Sequence, residues 1–228
     1  MPPDNAELCQ NRIDVWEFPL LEMPENAHEL LNEEEQLRAN RYYFARHKRR
    51  FTAARAMLRL ILSRYVNKDA QSLRFSTNQY GKPALENADE LQFNLSHSGD
   101  LALLAIGQHF PLGIDLEWYS ARPYEGIANE MFSPEELRVF NHLPGYAKPK
   151  VFFEIWSKKE AFIKACGLGL SYPTRSITMP LFASKPTQIE DNLHQQHWVI
   201  RDFMPRVACH AALCHHPEIQ DIRFIPIS

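Results

Sequence analysis

The chain has 228 residues, 45% hydrophobic and 23% charged, which is enough apolar material for one large domain or two small ones and excludes a fibrous or disordered polypeptide. No run approaches the roughly 18 to 20 apolar residues of a membrane span, and MPPDNAELCQNRIDVW lacks the basic-then-apolar order of a signal peptide, so a cytoplasmic protein without membrane contact is expected. The net charge of −3 and a pI near 6.4 argue against a generally basic nucleic-acid binder.

The first strong element lies between Arg38 and Arg64, a stretch with eight arginines, one lysine and no acid. Phe44, Phe51 and Leu58 recur every seven residues, with Ala54, Ile61 and Leu62 on the same stripe, which predicts a helix over about 41–65. Its apolar face is expected to pack while the arginines stay available to something anionic. Tyr-Gly-Lys-Pro at 80–83 reads as a turn between strands, and LQFNLSHSGDLALLAIG (91–107) as two strands separated by a polar Ser-His-Ser-Gly-Asp loop.

PLGIDLEWYS (111–120) alternates. In a strand, Leu112, Ile114 and Leu116 face one way and Gly113, Asp115 and Glu117 the other. Such alternation fits a strand with one wet face. It also fits half of a divalent-metal site, because carboxylates about 7 Å apart on a strand reach one hard cation when a third acid joins them.

FSPEELRVF (132–140) opens a helix, with Ser133 as cap, Pro134 in the first turn and Glu136 completing a capping box. KVFFEIWSKKEAFIKACGLGL (150–170) is the second strong helix, stopped by Gly167 and Gly169. On it Trp156, Glu160 and Lys164 follow one another at i, i+4 and i+8, with Lys159 beside them. Glu160 can be the missing third acid, or one end of an ordinary surface pair with Lys164. The segments SITMPLF, HWVIRDF, VACHAALC and DIRFIPIS read as short strands. In RVACHAALCHH the alternation puts Val207, Cys209, Ala211 and Leu213 on one face, which speaks for a strand over a metal site. Cys9, Cys166, Cys209 and Cys214 suggest no disulfide framework.

Helix followed by strands therefore occurs twice, in α+β halves at 1–110 and 111–228, with no residue-level repeat and a cleft between them as the natural ligand site. YGKPAL, FNLSHSGD, GIDLE, FSPEE and WSKKEAFIKACGLGL, in this order, resemble the 4′-phosphopantetheinyl transferases, specifically the Sfp-type branch with two similar halves in one chain. The resemblance implies a pseudo-twofold α+β fold with the active site between the halves. It implies transfer of the phosphopantetheine arm of coenzyme A to a serine of an apo carrier protein, releasing adenosine 3′,5′-bisphosphate.

By motif, Asp115, Glu117 and Glu160 match magnesium ligands, and Glu160 also matches a general base. Lys164 would stabilise charge on the transferred group, with Glu136 a secondary candidate. Arg38, Arg46, Lys82, Ser96 and His97 match the coenzyme A contacts, joined by Asp115 and Lys164. The arginine-rich stretch departs from family members that carry lysines there, and its excess charge suits an acidic carrier surface. A monomer that binds neither nucleic acid nor membrane is expected. The competing readings are a nucleic-acid module built on 38–64 and a carrier-binding scaffold without catalysis.

Overall fold

The computed structural model describes residues 6–183 and 185–227. Strand β1 (Arg12–Pro19) is followed by helices α1 (Ala27–Leu30), α2 (Glu33–Asn40) and α3 (Ala45–Val66). Strands β2 (Phe75–Thr77), β3 (Pro83–Leu85), β4 (Leu91–Ser98), β5 (Leu101–Gln108) and β6 (Leu112–Trp118) come next. Helices α4 (Tyr124–Met131), α5 (Pro134–His142) and α6 (Lys148–Cys166) precede β7 (Thr187–Asp191), β8 (Gln196–Arg206), β9 (Cys209–His215) and β10 (Asp221–Pro226).

Two four-stranded sheets, ordered β10-β1-β5-β4 and β6-β9-β8-β7, pack face to face. Alternation supplies both inner faces: Ile13, Val15, Leu103, Leu112, Ile114, Leu116 and Leu213 meet in one buried cluster between the sheets. Helix α3 covers the outer face of the first sheet through Leu58, Ile61 and Leu62 against Phe93 and Leu104. Helix α6 covers the outer face of the second through Phe162 and Ala165 against Ile200, Ala212 and Cys214. The result is helix, sheet, sheet, helix, an α+β fold of two similar halves set back to back.

Several expectations change. Helix α3 starts at Ala45, and Phe44 is its extended N-cap residue with an exposed ring, so the apolar stripe begins at Phe51. His97 and both flanking serines belong to β4, paired with Leu101–Leu103 of β5, and only Gly99 and Asp100 form the turn. Residues 177–182 are irregular, because their backbone groups are taken by side chains of α5 and α6: Met179 N–H donates to Glu136, and the carbonyls of Ile177 and Pro180 accept from Lys159 and Lys158. Val207 is exposed in the β8–β9 turn, while Cys209, Ala211 and Leu213 do share the inner face. Strand β10 crosses back to pair in parallel with β1, so a division at residue 110 separates the sheets except for this last strand. Arg223 seals the crossing with two hydrogen bonds to buried Asp14, at 3.0 and 2.8 Å.

Candidate active site

The site begins with a missing side chain. A Cβ on Gly113 would lie 2.1 Å from the Ala161 carbonyl oxygen and 2.3 Å from the Ala165 nitrogen, so only glycine lets the α6 backbone rest on β6. That contact brings the acidic face of β6 against the face of α6 that carries Glu160 and Lys164.

Lys164 Nζ donates to Asp115 Oδ1 at 2.6 Å and to Ser96 Oγ at 3.1 Å, and Ser96 in turn donates to Asp115 Oδ1 at 3.0 Å. The second Asp115 oxygen, Oδ2, is buried with no hydrogen-bond partner among the described residues. Glu117 accepts from the Trp156 indole at 3.0 Å and from Ser98 at 3.4 Å, and lies 3.5 Å from Arg122. The Glu160 side chain makes no hydrogen bond or ion pair among the described residues. Burial, the Asp115 charge and the Glu117 charge push its pKa up to about 7 against the opposing pull of Lys164. Burial and Asp115 likewise raise Glu117. Three carboxylates thus face one ammonium and one guanidinium.

Strand β4 joins the two halves at this point. Its polar face, Asn94, Ser96 and Ser98, bonds β6 at Ile114 N–H, at Asp115 and at Trp118 N–H, at 2.8, 3.0 and 3.1 Å. Asn94 and Ser98 escaped the sequence reading. The period-two run Asn-Leu-Ser-His-Ser was the available signal, because every second residue is small and polar.

The other expected residues are dispersed. His97 is exposed beside the site, and partial enclosure together with Lys164 and Arg50 lowers its pKa. Lys82 lies in the seam, donating to the carbonyls of Leu112 at 3.0 Å and Ala165 at 3.1 Å, and burial lowers its pKa to about 8. Arg46 sits over the Phe44 ring and Arg38 over Phe51, and no hydrogen bond or ion pair joins either to the acids among the described residues. The basic helix is less available than expected. Arg59 is fully buried on Glu35 at 2.8 Å, Arg55 bonds the same carboxylate, and Arg50 pairs with Asp100 at 2.7 Å. Lys159 does not face the site: it pairs with buried Glu136 at 2.9 Å and donates to Thr174 and Ile177 carbonyls. Glu136 is occupied as a cap and a counter-ion.

Among the described residues, no three His, Cys, Asp or Glu side chains converge in a ready-made metal cage. The donor chemistry still suits a hard divalent cation: three carboxylates, one buried oxygen without a partner, and mutual repulsion that a cation relieves.

The description "4′-phosphopantetheinyl transferase superfamily" fits residues 111–212, and "4′-phosphopantetheinyl transferase, N-terminal" fits residues 16–109. The chain belongs to the 4′-phosphopantetheinyl transferase family, in its Sfp-type branch, and is an enzyme of that type. It is 35% identical over 220 residues to the 4′-phosphopantetheinyl transferase HetI of a Nostoc species, covering 92% of this chain and 90% of HetI. It is 32% identical over 160 residues to 4′-phosphopantetheinyl transferase Sfp of Bacillus subtilis, covering 70% of each. A further relative is the mouse L-aminoadipate-semialdehyde dehydrogenase-phosphopantetheinyl transferase, 30% identical over 154 residues, covering 61% of this chain and 49% of the mouse protein.

Proposed function

We propose that this enzyme transfers the 4′-phosphopantetheine arm of coenzyme A to a serine hydroxyl of an apo carrier protein and releases adenosine 3′,5′-bisphosphate, with magnesium required. The observation that carries the reading is the buried, unpartnered Asp115 Oδ2 beside a Glu160 held near pKa 7. Such a charge excess is costly in a fold unless a cationic ligand uses it.

Asp115, Glu117 and Glu160 would hold magnesium, which when bound neutralises pyrophosphate charge. Glu160 takes the serine proton at a carboxylate oxygen. The serine oxygen then bonds to the phosphorus that carries pantetheine while the bond from that phosphorus to the bisphosphate oxygen breaks. Lys164, held on Asp115, meets the charge growing on the transferred group and the departing bisphosphate.

Residues 1–110 supply coenzyme A phosphate contacts through Ser96, His97 and Arg46, and 111–228 supply the acids and the catalytic helix. Arg38 joins them only if it leaves the Phe51 ring, and Lys82 acts from beneath by holding the seam. The exposed Arg46 and Arg49 give an acidic carrier a cationic approach. The same reading has the enzyme working as a monomer in the cytoplasm, and no described helix is long and apolar enough to cross a membrane.

The test mixes the protein, coenzyme A, magnesium and a panel of apo carrier proteins, followed by mass spectrometry of the carriers and chromatography of the nucleotide product. A phosphopantetheine mass gain that EDTA abolishes and added magnesium restores is expected. No gain on any carrier overturns the transfer, and full activity in EDTA overturns the metal.

A further inference from the structure

Between α6 and the second sheet, next to the acids, lies a second polar chain that the chemistry above does not use. Ser157 Oγ is 2.7 Å from Nδ1 of His210 on β9. The Nε2 of the same ring is 3.2 Å from Asp202 Oδ2 on β8. Asp202 Oδ1 is 3.3 Å from Lys158 Nζ, which also contacts Glu154 at 2.8 Å and the Pro180 carbonyl at 2.7 Å. Ser157, Lys158 and His210 are buried, so solvent and substrates do not reach them.

This grouping of serine, histidine and aspartate is too enclosed to act on a substrate. Its energetics are also unremarkable as glue, because buried ionic groups often stabilise no more than well-packed apolar side chains would. Its placement is informative. Ser157 follows Trp156, whose indole holds Glu117, and precedes Glu160 by three residues, under one helical turn. His210 is the cross-strand partner of Glu117 in the β6–β9 pair. The chain therefore ties α6 to the sheet beside both Glu117 and Glu160. Burial alone would raise the Asp202 pKa, yet His210 and Lys158 hold it below its ordinary value, so the carboxylate stays charged and directional.

We infer that Ser157, His210 and Asp202 are positioning residues that set the rotation and height of α6 over β6 and so place Glu160 and Glu117 for transfer. The inference rests on the transferase reading and names the part of the fold on which its rate depends. Reacting groups tolerate little displacement, since about 1 Å costs on the order of 10²-fold in rate.

The test compares His210→Ala, Ser157→Ala and their double variant with wild type in the carrier assay. Leu62→Ala, in the core of α3, serves as a control for general destabilisation. His210→Ala should lower kcat about tenfold while KM for coenzyme A stays within about threefold, because the loss falls on the transition state. The double variant should be no worse than His210→Ala, since both cut one chain. Leu62→Ala, assayed where it is folded, should keep its kcat. A kcat within about twofold of wild type in His210→Ala, or losses that multiply in the double variant, overturns the inference.

A readout that needs no activity is the indole N–H NMR signal of Trp156, assigned with Trp156→Phe. It should shift in His210→Ala while that of Trp16, bonded to Tyr65 beside the other sheet, stays in place. An unmoved Trp156 signal overturns the positioning role. An inactive wild type overturns the transferase reading, and the Trp156 signal still decides the positioning.

Discussion

Two clusters of buried charge, one in each half, are built from similar parts and end in opposite states. Around Glu35, one carboxylate on α2 receives Arg55 and Arg59 from α3, and Arg59 spends further N–H groups on the carbonyls of Ala70 and Leu73. Its remaining nitrogen is buried without a hydrogen-bond partner among the described residues, and the guanidinium carbon is 5.2 Å from the Phe75 ring centroid. Around Asp115, three carboxylates meet Lys164, with Arg122 beside Glu117, and one of their oxygens is buried with nothing to accept from among the described residues. The first cluster answers one acid with two cations. The second sets three acids against Lys164 and Arg122, and that excess of acid marks it as the candidate site.

The largest test of this contrast is Asp115→Ala or Glu160→Gln. Either should lower transfer by roughly 10³-fold while thermal unfolding still shows a folded protein, measured by carrier mass gain and calorimetry. Near-normal rates in both would remove the acids from the chemistry.

Glu35→Ala should show the reverse. It leaves buried Arg59 and half-buried Arg55 without their acid, for a loss of about 3–5 kcal/mol in urea unfolding, with turnover per folded molecule kept. A stable Glu35→Ala would dissolve the contrast from the other end.

Gly113→Ala falls between them, because its methyl group collides with α6 backbone that cannot yield as a side chain would. A stability loss of about 1–3 kcal/mol is expected, with a drop in kcat beyond that of an equally destabilised core variant, as Glu160 is pushed from Asp115.

The smallest effect belongs to Lys82. Burial depresses its pKa to about 8 against an ordinary 10.5, so the folded state binds fewer protons there than the unfolded chain between those values. Stability relative to Lys82→Met should therefore rise as pH goes from about 8 to 10.5, read from urea midpoints. A flat or falling difference would show that the ammonium is not desolvated in the seam.

Much of the site was written locally. Alternation in Gly-Ile-Asp-Leu-Glu fixed which side the acids take, the i, i+4 spacing put Glu160 and Lys164 on one helix face, and Ser133 with Glu136 marked a helix start that the structure keeps. What lay beyond the sequence depended on tertiary partners. Arg55 and Arg59 read as free cations because Glu35, some twenty residues earlier, meets them only when α2 packs on α3. Ser96, His97 and Ser98 read as a loop because polar residues are common in turns. Here the serine hydroxyls are spent on β6 across the junction of the halves. DIRFIPIS reads as a short strand, but nothing in that segment says which sheet receives it.

That last strand carries a consequence for the order of synthesis. Asp14 is buried in β1 and waits for Arg223, 209 residues later, before its charge is answered in full. The first sheet gains its fourth strand only after nearly all of the second half has been made. A nascent chain that has emerged as far as β9 holds every proposed metal-binding and acid–base group, yet exposes an unpaired edge of β1. Closure of that edge is thus expected to be a late step of folding, and slow formation of a long-range parallel pairing is its kinetic signature.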